Sequence, residues 1–133
     1  DKNTKQFSVA KLNGNGTSDN LTYVFKDGKG NVYVASNGNG IFEYDVNSKT
    51  LTNYLIPKTI FKKSDLNISD KINVRCITEV NGSIWCGSDD GVLVFNPNTK
   101  TFERIINFDF DFYFRTWICL GSYKNDEIYF RTY

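Results

Sequence analysis

Apolar residues in this chain fall in short runs separated by Gly, Asn and Asp. Val32, Tyr33 and Val34 form one unbroken run, and Ile84, Trp85 and Cys86 form another. A strand with one wet face alternates apolar and polar residues, whereas a short continuous run predicts a strand buried on both faces. Around the second run the pattern predicts four strands, at 74–80, 83–87, 92–96 and 101–105. Asn81-Gly82, Asp89-Asp90-Gly91 and Asn96-Pro97-Asn98-Thr99 separate them. Asn-Gly is a strong hairpin signal because both residues tolerate positive φ. Gly40 and Gly91 are expected to supply positive φ where a new strand starts. The stretch Thr50-Leu51-Thr52-Asn53-Tyr54 is more polar and should be an outer strand facing solvent.

The pattern repeats. Gly30-Asn31-Val32-Tyr33-Val34-Ala35-Ser36 aligns with Gly82-Ser83-Ile84-Trp85-Cys86-Gly87-Ser88, and residues 40–45 and 47–51 align with 91–96 and 98–102. Gly30 to Gly82 is 52 positions and Gly40 to Gly91 is 51, while Trp85 to its counterpart Tyr129 is 44. Periods of roughly 40–50 residues with four strands each belong to propeller blades. The expected fold is therefore all-β: a partial β-propeller with two full four-stranded repeats, at about 21–54 and 73–105. A partial third repeat is expected at 116–133, and residues 1–12 are expected to include the outer strand of a preceding blade. About ten strands, no long helix and an outermost fourth strand follow. Tyr33 and Trp85 sit two positions before the small Ala35 and Gly87, so large and small side chains share a face, as interdigitating sheets require. Two repeats cannot close a propeller. The expected partners are therefore the remaining blades of the same propeller, or self-association.

Composition narrows the function. Net charge is +1, with no basic face of the kind nucleic-acid binding needs. No apolar run approaches the roughly 20 residues of a membrane helix, so no membrane insertion is expected in this segment. The chain opens on Asp1 rather than Met, as a mature fragment does. Histidine is absent, which removes Ser-His-Asp and Cys-His arrangements and the usual general base near neutral pH. Asp89-Asp90 and Asp109/Asp111 are the close carboxylate pairs, and adjacent acids in a hairpin are mostly turn formers. Cys76, Cys86 and Cys119 form no metal or disulfide pattern and are expected as buried free thiols. Asp27-Gly28-Lys29-Gly30-Asn31 lacks the alternating ligands of a calcium loop and is expected to be a hairpin turn. No catalytic residue, metal or cofactor is expected.

The run from Gly82 to Pro97, with its turn glycine, Trp85, Gly87-Ser88, Gly91, apolar residues, Phe95 and Asn96, resembles the two-component regulator propeller repeat. Asp27 and Glu79 match the acid that precedes the turn in that repeat. The first copy departs with Tyr33 and Ala35, the third with Tyr129, Phe130 and Arg131. The resemblance implies the extracytoplasmic sensor region of a bacterial hybrid two-component system, located in the periplasm or outside the cell. It further implies glycan fragments as ligands and a histidine kinase elsewhere in the protein.

For a ligand site, the inter-repeat connections at 55–73 and 107–116 and the turns between second and third strands should share one face, where rim loops bind ligands. Tyr113, Arg115 and Trp117 alternate onto one side of the entry to the third repeat. Asp89 and Asp90 would add hydroxyl acceptors from the same face. The competing explanation for 107–114 is an ordinary strand with Phe108, Phe110, Phe112 and Phe114 packed. The alternative function is a protein-interaction propeller without a small-molecule ligand; a third is an enzyme whose catalytic residues lie in other blades.

Overall fold

The computed structural model describes residues 9–13, 20–60, 71–104, 118–124 and 127–132. The described residues hold eleven strands. The first sheet contains β1 (Lys11–Asn13), β2 (Leu21–Lys26), β3 (Val32–Ser36), β4 (Ile41–Asp45) and β5 (Thr50–Tyr54). The second contains β6 (Val74–Val80), β7 (Ser83–Ser88), β8 (Gly91–Asn96) and β9 (Thr101–Arg104). A hairpin of β10 (Ile118–Lys124) and β11 (Glu127–Thr132) follows. The strand orders are β1-β5-β4-β3-β2, β6-β7-β8-β9 and β10-β11. The chain is thus all-β, and its four-strand repeats are antiparallel meanders. β1 adds to the outer edge of the first sheet, parallel to β5; residues 1–8 lie outside the described residues. Of the 55–73 connection, the described part contains one 3₁₀ turn, Lys58–Ile60.

Corresponding turns are built alike in the two full repeats. Asp45 Oδ1 accepts the backbone N–H of Asn47 and Ser48, at 2.8 and 3.2 Å. Asn96 Oδ1 does the same for Asn98 and Thr99, at 3.0 and 3.4 Å. These bonds to the ionised form hold the Asp45 carboxyl below its ordinary pKa. Each turn ends on a lysine at φ 57°, Lys49 and Lys100. Between the second and third strands, Ser36 Oγ donates to the Gly40 carbonyl and Ser88 Oγ to that of Gly91. Gly40 and Gly91 do have positive φ, 70° and 124°. At Gly40 a Cβ would also collide with the Tyr54 carbonyl oxygen, so only glycine fits.

The first turn of each repeat corrects the sequence alignment. Asn81 and Gly82 are a two-residue turn with φ 50° and 79°, as Asn-Gly predicts. The first repeat instead bridges residues 27 and 31 through Gly30 at φ 93°. That one extra residue shifts β2 in register. Tyr23 pairs with Ala35 as Cys76 pairs with Gly87, and Leu21 with Ser36 as Val74 with Ser88. Asp27 and Glu79, aligned by sequence, therefore occupy different registers. Both first strands carry the same irregularity, which leaves Thr22 and Arg75 as the displaced residues.

The core lies between the first two sheets. Tyr33, Ala35 and Ile41 from the first meet Val74, Ile77, Ile84, Cys86, Leu93, Phe95 and Phe102 from the second. Phe95 is its aromatic centre, with ring centroids 6.2 Å from Tyr33, 5.0 Å from Tyr54 and 5.1 Å from Phe102. On the opposite side of the first sheet, Val34, Phe42 and Leu51 pack with Ala10 and Leu12. β3 is buried on both faces, as its unbroken apolar run predicts, whereas β7 buries the face of Ile84 and Cys86 fully and the face of Trp85 only in part. Trp85 is half-buried, whereas its counterpart Tyr33 is fully buried. Cys76 and Cys86 are buried free thiols, and burial, with Cys76 nearby, pushes the Cys86 thiol pKa up. The side chain of Cys119 lies outside the described residues.

Candidate functional site

Polar side chains gather at both ends of the seam between the first two sheets. One end carries the turns between second and third strands. There Arg75, displaced at the start of β6, points its fork at the turn after β7. Its Nε donates to Asp89 Oδ1 and its Nη2 to Asp89 Oδ2, each at 3.0 Å. Its Nη1 crosses to the first sheet and donates to Asn37 Oδ1 at 3.0 Å. Asn73 Nδ2 adds a bond to Asp89 Oδ2 at 2.8 Å. Backbone bonds run alongside: Asp89 N–H to the Asn73 carbonyl, Gly38 N–H to that of Ile72, and Asn37 paired with Asn73. Thr22 Oγ1 also donates to the Val74 carbonyl, at 2.7 Å.

Asp89 and Asp90 sit on the face the sequence suggested. Both Asp89 oxygens, however, are engaged within the protein by Arg75 and Asn73, and the Asp90 N–H donates to Ser88 Oγ at 3.2 Å. Tyr113, Arg115 and Trp117 lie outside the described residues. Sequence reasoning passed over Arg75. Its signal was a guanidinium inside the otherwise apolar run Val74-Arg75-Cys76-Ile77, where a cation needs a partner.

The other end carries the hairpin turns, and here the sheets leave a cavity of about 170 Å³. Asp27 and Lys29 reach it from the first turn, Glu43 from β4, Glu79 from β6, and Asn98 and Lys100 from the turn after β8. Asp27 is occupied by its own turn: Oδ1 accepts the N–H of Lys29 and Asn31, and Oδ2 accepts Asn31 Nδ2. Residues 27–31 thus form the expected hairpin turn, closed by its own aspartate. Glu79 Oε2 reaches across the seam to the Gly28 N–H at 2.6 Å. Glu43 Oε2 accepts Tyr54 Oη at 3.0 Å and Lys100 Nζ at 2.7 Å, with the ammonium 5.7 Å from the Tyr54 ring centroid. Among the described residues no group of three or more Asp, Glu, His or Cys is placed to hold a metal ion.

Burial and the hydrogen bond that Tyr54 donates to Glu43 push the Tyr54 pKa up from 10.0 to about 12. The unfolded chain then releases this proton near pH 10 and the folded chain near 12. The contribution is fully present below about pH 10 and is lost as pH rises towards 12. Denaturation midpoints should fall between about pH 9 and about pH 11, and Tyr54→Phe should flatten part of that fall. An identical slope in the variant would remove Tyr54 as its source.

No family model matches the chain, and no curated protein does. Solved structures do. Among them, one is described as the extracellular domain of a putative one component system and another as that of a putative hybrid two component system, both from B. thetaiotaomicron. The fold is shared with these domains. The TM-scores are 0.65 and 0.64 at 16% identity, over 88% and 84% of this chain. The chain spans only 15% and 14% of their lengths.

Proposed function

We propose that this chain is a run of blades in the β-propeller of an extracytoplasmic sensor. The full protein would bind glycan fragments and pass the signal to a histidine kinase elsewhere in its chain. The observation that carries this proposal is the fold shared with the extracellular domain of a putative two-component system. Face-to-face packing of successive four-stranded meanders supports the blade assignment.

The open side of the first sheet supports continuation of the stack. Leu21 is 44% and Val24 66% exposed, while their register equivalents Val74 and Ile77 are 0% and 2% exposed. In the second sheet that side meets the first sheet. Remaining blades of the same propeller, or a second copy, would cover it in the first. The chain acts as a binding module rather than an enzyme, in keeping with its lack of histidine. A glycan array probed with the intact protein tests the function: binding of a carbohydrate class is expected. Binding of no carbohydrate together with capture of a protein partner would replace the sensor role by the protein-interaction alternative.

A further inference from the structure

The open side of the first sheet carries more than Leu21 and Val24. Val32 and Tyr44 lie on it too, paired as Ile84 and Phe95 are in the second sheet. Ile84 and Phe95 are fully buried in the seam between the two sheets, whereas Val32 and Tyr44 are half-buried. The same register positions thus form an apolar strip that is closed in one sheet and open in the other. A strip of this kind marks a protein contact.

The part of that side already covered shows the direction from which a neighbour comes. Val34, Phe42 and Leu51 pack there with Ala10 and Leu12. Leu51 pairs with Tyr44 as Phe102 pairs with Phe95. Over the second sheet, the cluster containing Phe102 is packed by Ile56 and Ile60, from the connection that leaves β5, and Lys58–Ile60 lies against β9. Ala10 and Leu12 therefore stand where a connection leaving an earlier sheet would run.

A charge is also left waiting. In the existing seam, Lys100 reaches Glu43 on the third strand of the first sheet at 2.7 Å. Lys49 holds the same turn position at the same φ of 57°. It is exposed, and among the described residues it has no ion pair. A second copy of this chain does not fit it. Glu43 of such a copy is already held by its own Lys100, and the Glu43 position of the second sheet is Val94.

We propose that the open side of the first sheet receives a further four-stranded sheet from the N-terminal side of the same protein, and that an acidic side chain on the third strand of that sheet pairs with Lys49. The proposal rests on the blade assignment above and adds to it which neighbour docks and the contact that selects it. The apolar strip supplies the attraction. The ion pair sets the choice of neighbour, because a partly exposed pair adds little stability but a mismatched charge is rejected.

The test is carbodiimide coupling of the intact protein, which joins an amine to a carboxylate with loss of water, followed by peptide mass spectrometry. Lys100 should couple to Glu43, which the structure already brings together. Lys49 should couple to a Glu or Asp in a segment N-terminal to this chain. Mixing light and heavy-isotope protein distinguishes links between molecules. Coupling of Lys49 to a C-terminal segment, to another molecule or to nothing overturns the proposal, while the Lys100–Glu43 link leaves the stacked-blade reading standing. Failure of both links overturns the stacking and the proposal with it. Hydroxyl-radical footprinting is the second measurement. Leu21 should be labelled far less than Leu55, which is 64% exposed. Equal labelling of the two leucines overturns the proposal.

Discussion

Phe95→Ala should destabilise the protein by about 3–5 kcal/mol, the range for emptying a fully buried aromatic site. Phe95 is completely buried and touches three other rings, two of them from the first sheet. Its loss therefore opens a void in the seam between sheets rather than at an edge. The neighbours cannot collapse into it, because Tyr33 and Tyr54 are held by strand pairing in β3 and β5. Aromatic pairs add about 0.5–1.5 kcal/mol beyond burial, so part of the loss is geometric. Phe95→Leu, which keeps most of the volume, should cost less than half as much. Chemical denaturation gives the value directly if unfolding is two-state. If the intact protein unfolds in steps, hydrogen-exchange protection of β7 and β8 reports the same loss locally. A cost below about 1 kcal/mol would mean that Phe95 does not hold the two sheets together.

The sequence made the strands legible where local signals and packing agree. The unbroken runs at Val32–Val34 and Ile84–Cys86 announced strands, the first of them buried on both faces, and Asn81-Gly82 announced its turn. Tyr33 and Ala35 were readable as a packing pair from the repeat alone. The register of β2 was not, because a single extra turn residue near Gly30 moves every partner by one while leaving the apolar pattern almost intact. Aligning Asp27 with Glu79 hid that shift. The cavity was illegible for a different reason. Its residues come from turns and strand ends spread from Asp27 to Lys100, and only the stacking of one repeat on the next brings them together. Asp89 illustrates the same limit: its turn position was clear, but its partner Arg75 lies on the neighbouring strand β6, 14 residues away.

Arg75→Ala should cost about 2–3 kcal/mol, and the loss should be one of stability rather than ligand affinity. The Arg75 and Asp89 side chains are 21% and 9% exposed, so the pair is partly desolvated and lies below the 3–5 kcal/mol of a fully buried pair broken on one side. Without Arg75, both Asp89 oxygens lose a charge-assisted bond and Asn37 loses its link across the seam. Asp89→Ala should cost a similar amount for the mirror reason. The double variant should be less damaging than the two single losses added together, by at least about 0.5 kcal/mol, because each change removes the same interaction. Arg75→Lys should recover little, since an ammonium cannot span both Asp89 oxygens and Asn37 together. This cycle also decides between two roles for Asp89. A clamp between sheets predicts coupled stability losses with glycan binding retained by the folded variants. Additive losses, with binding lost in Asp89→Ala and kept in Arg75→Ala, would return Asp89 to the ligand site expected from its place in the rim turn.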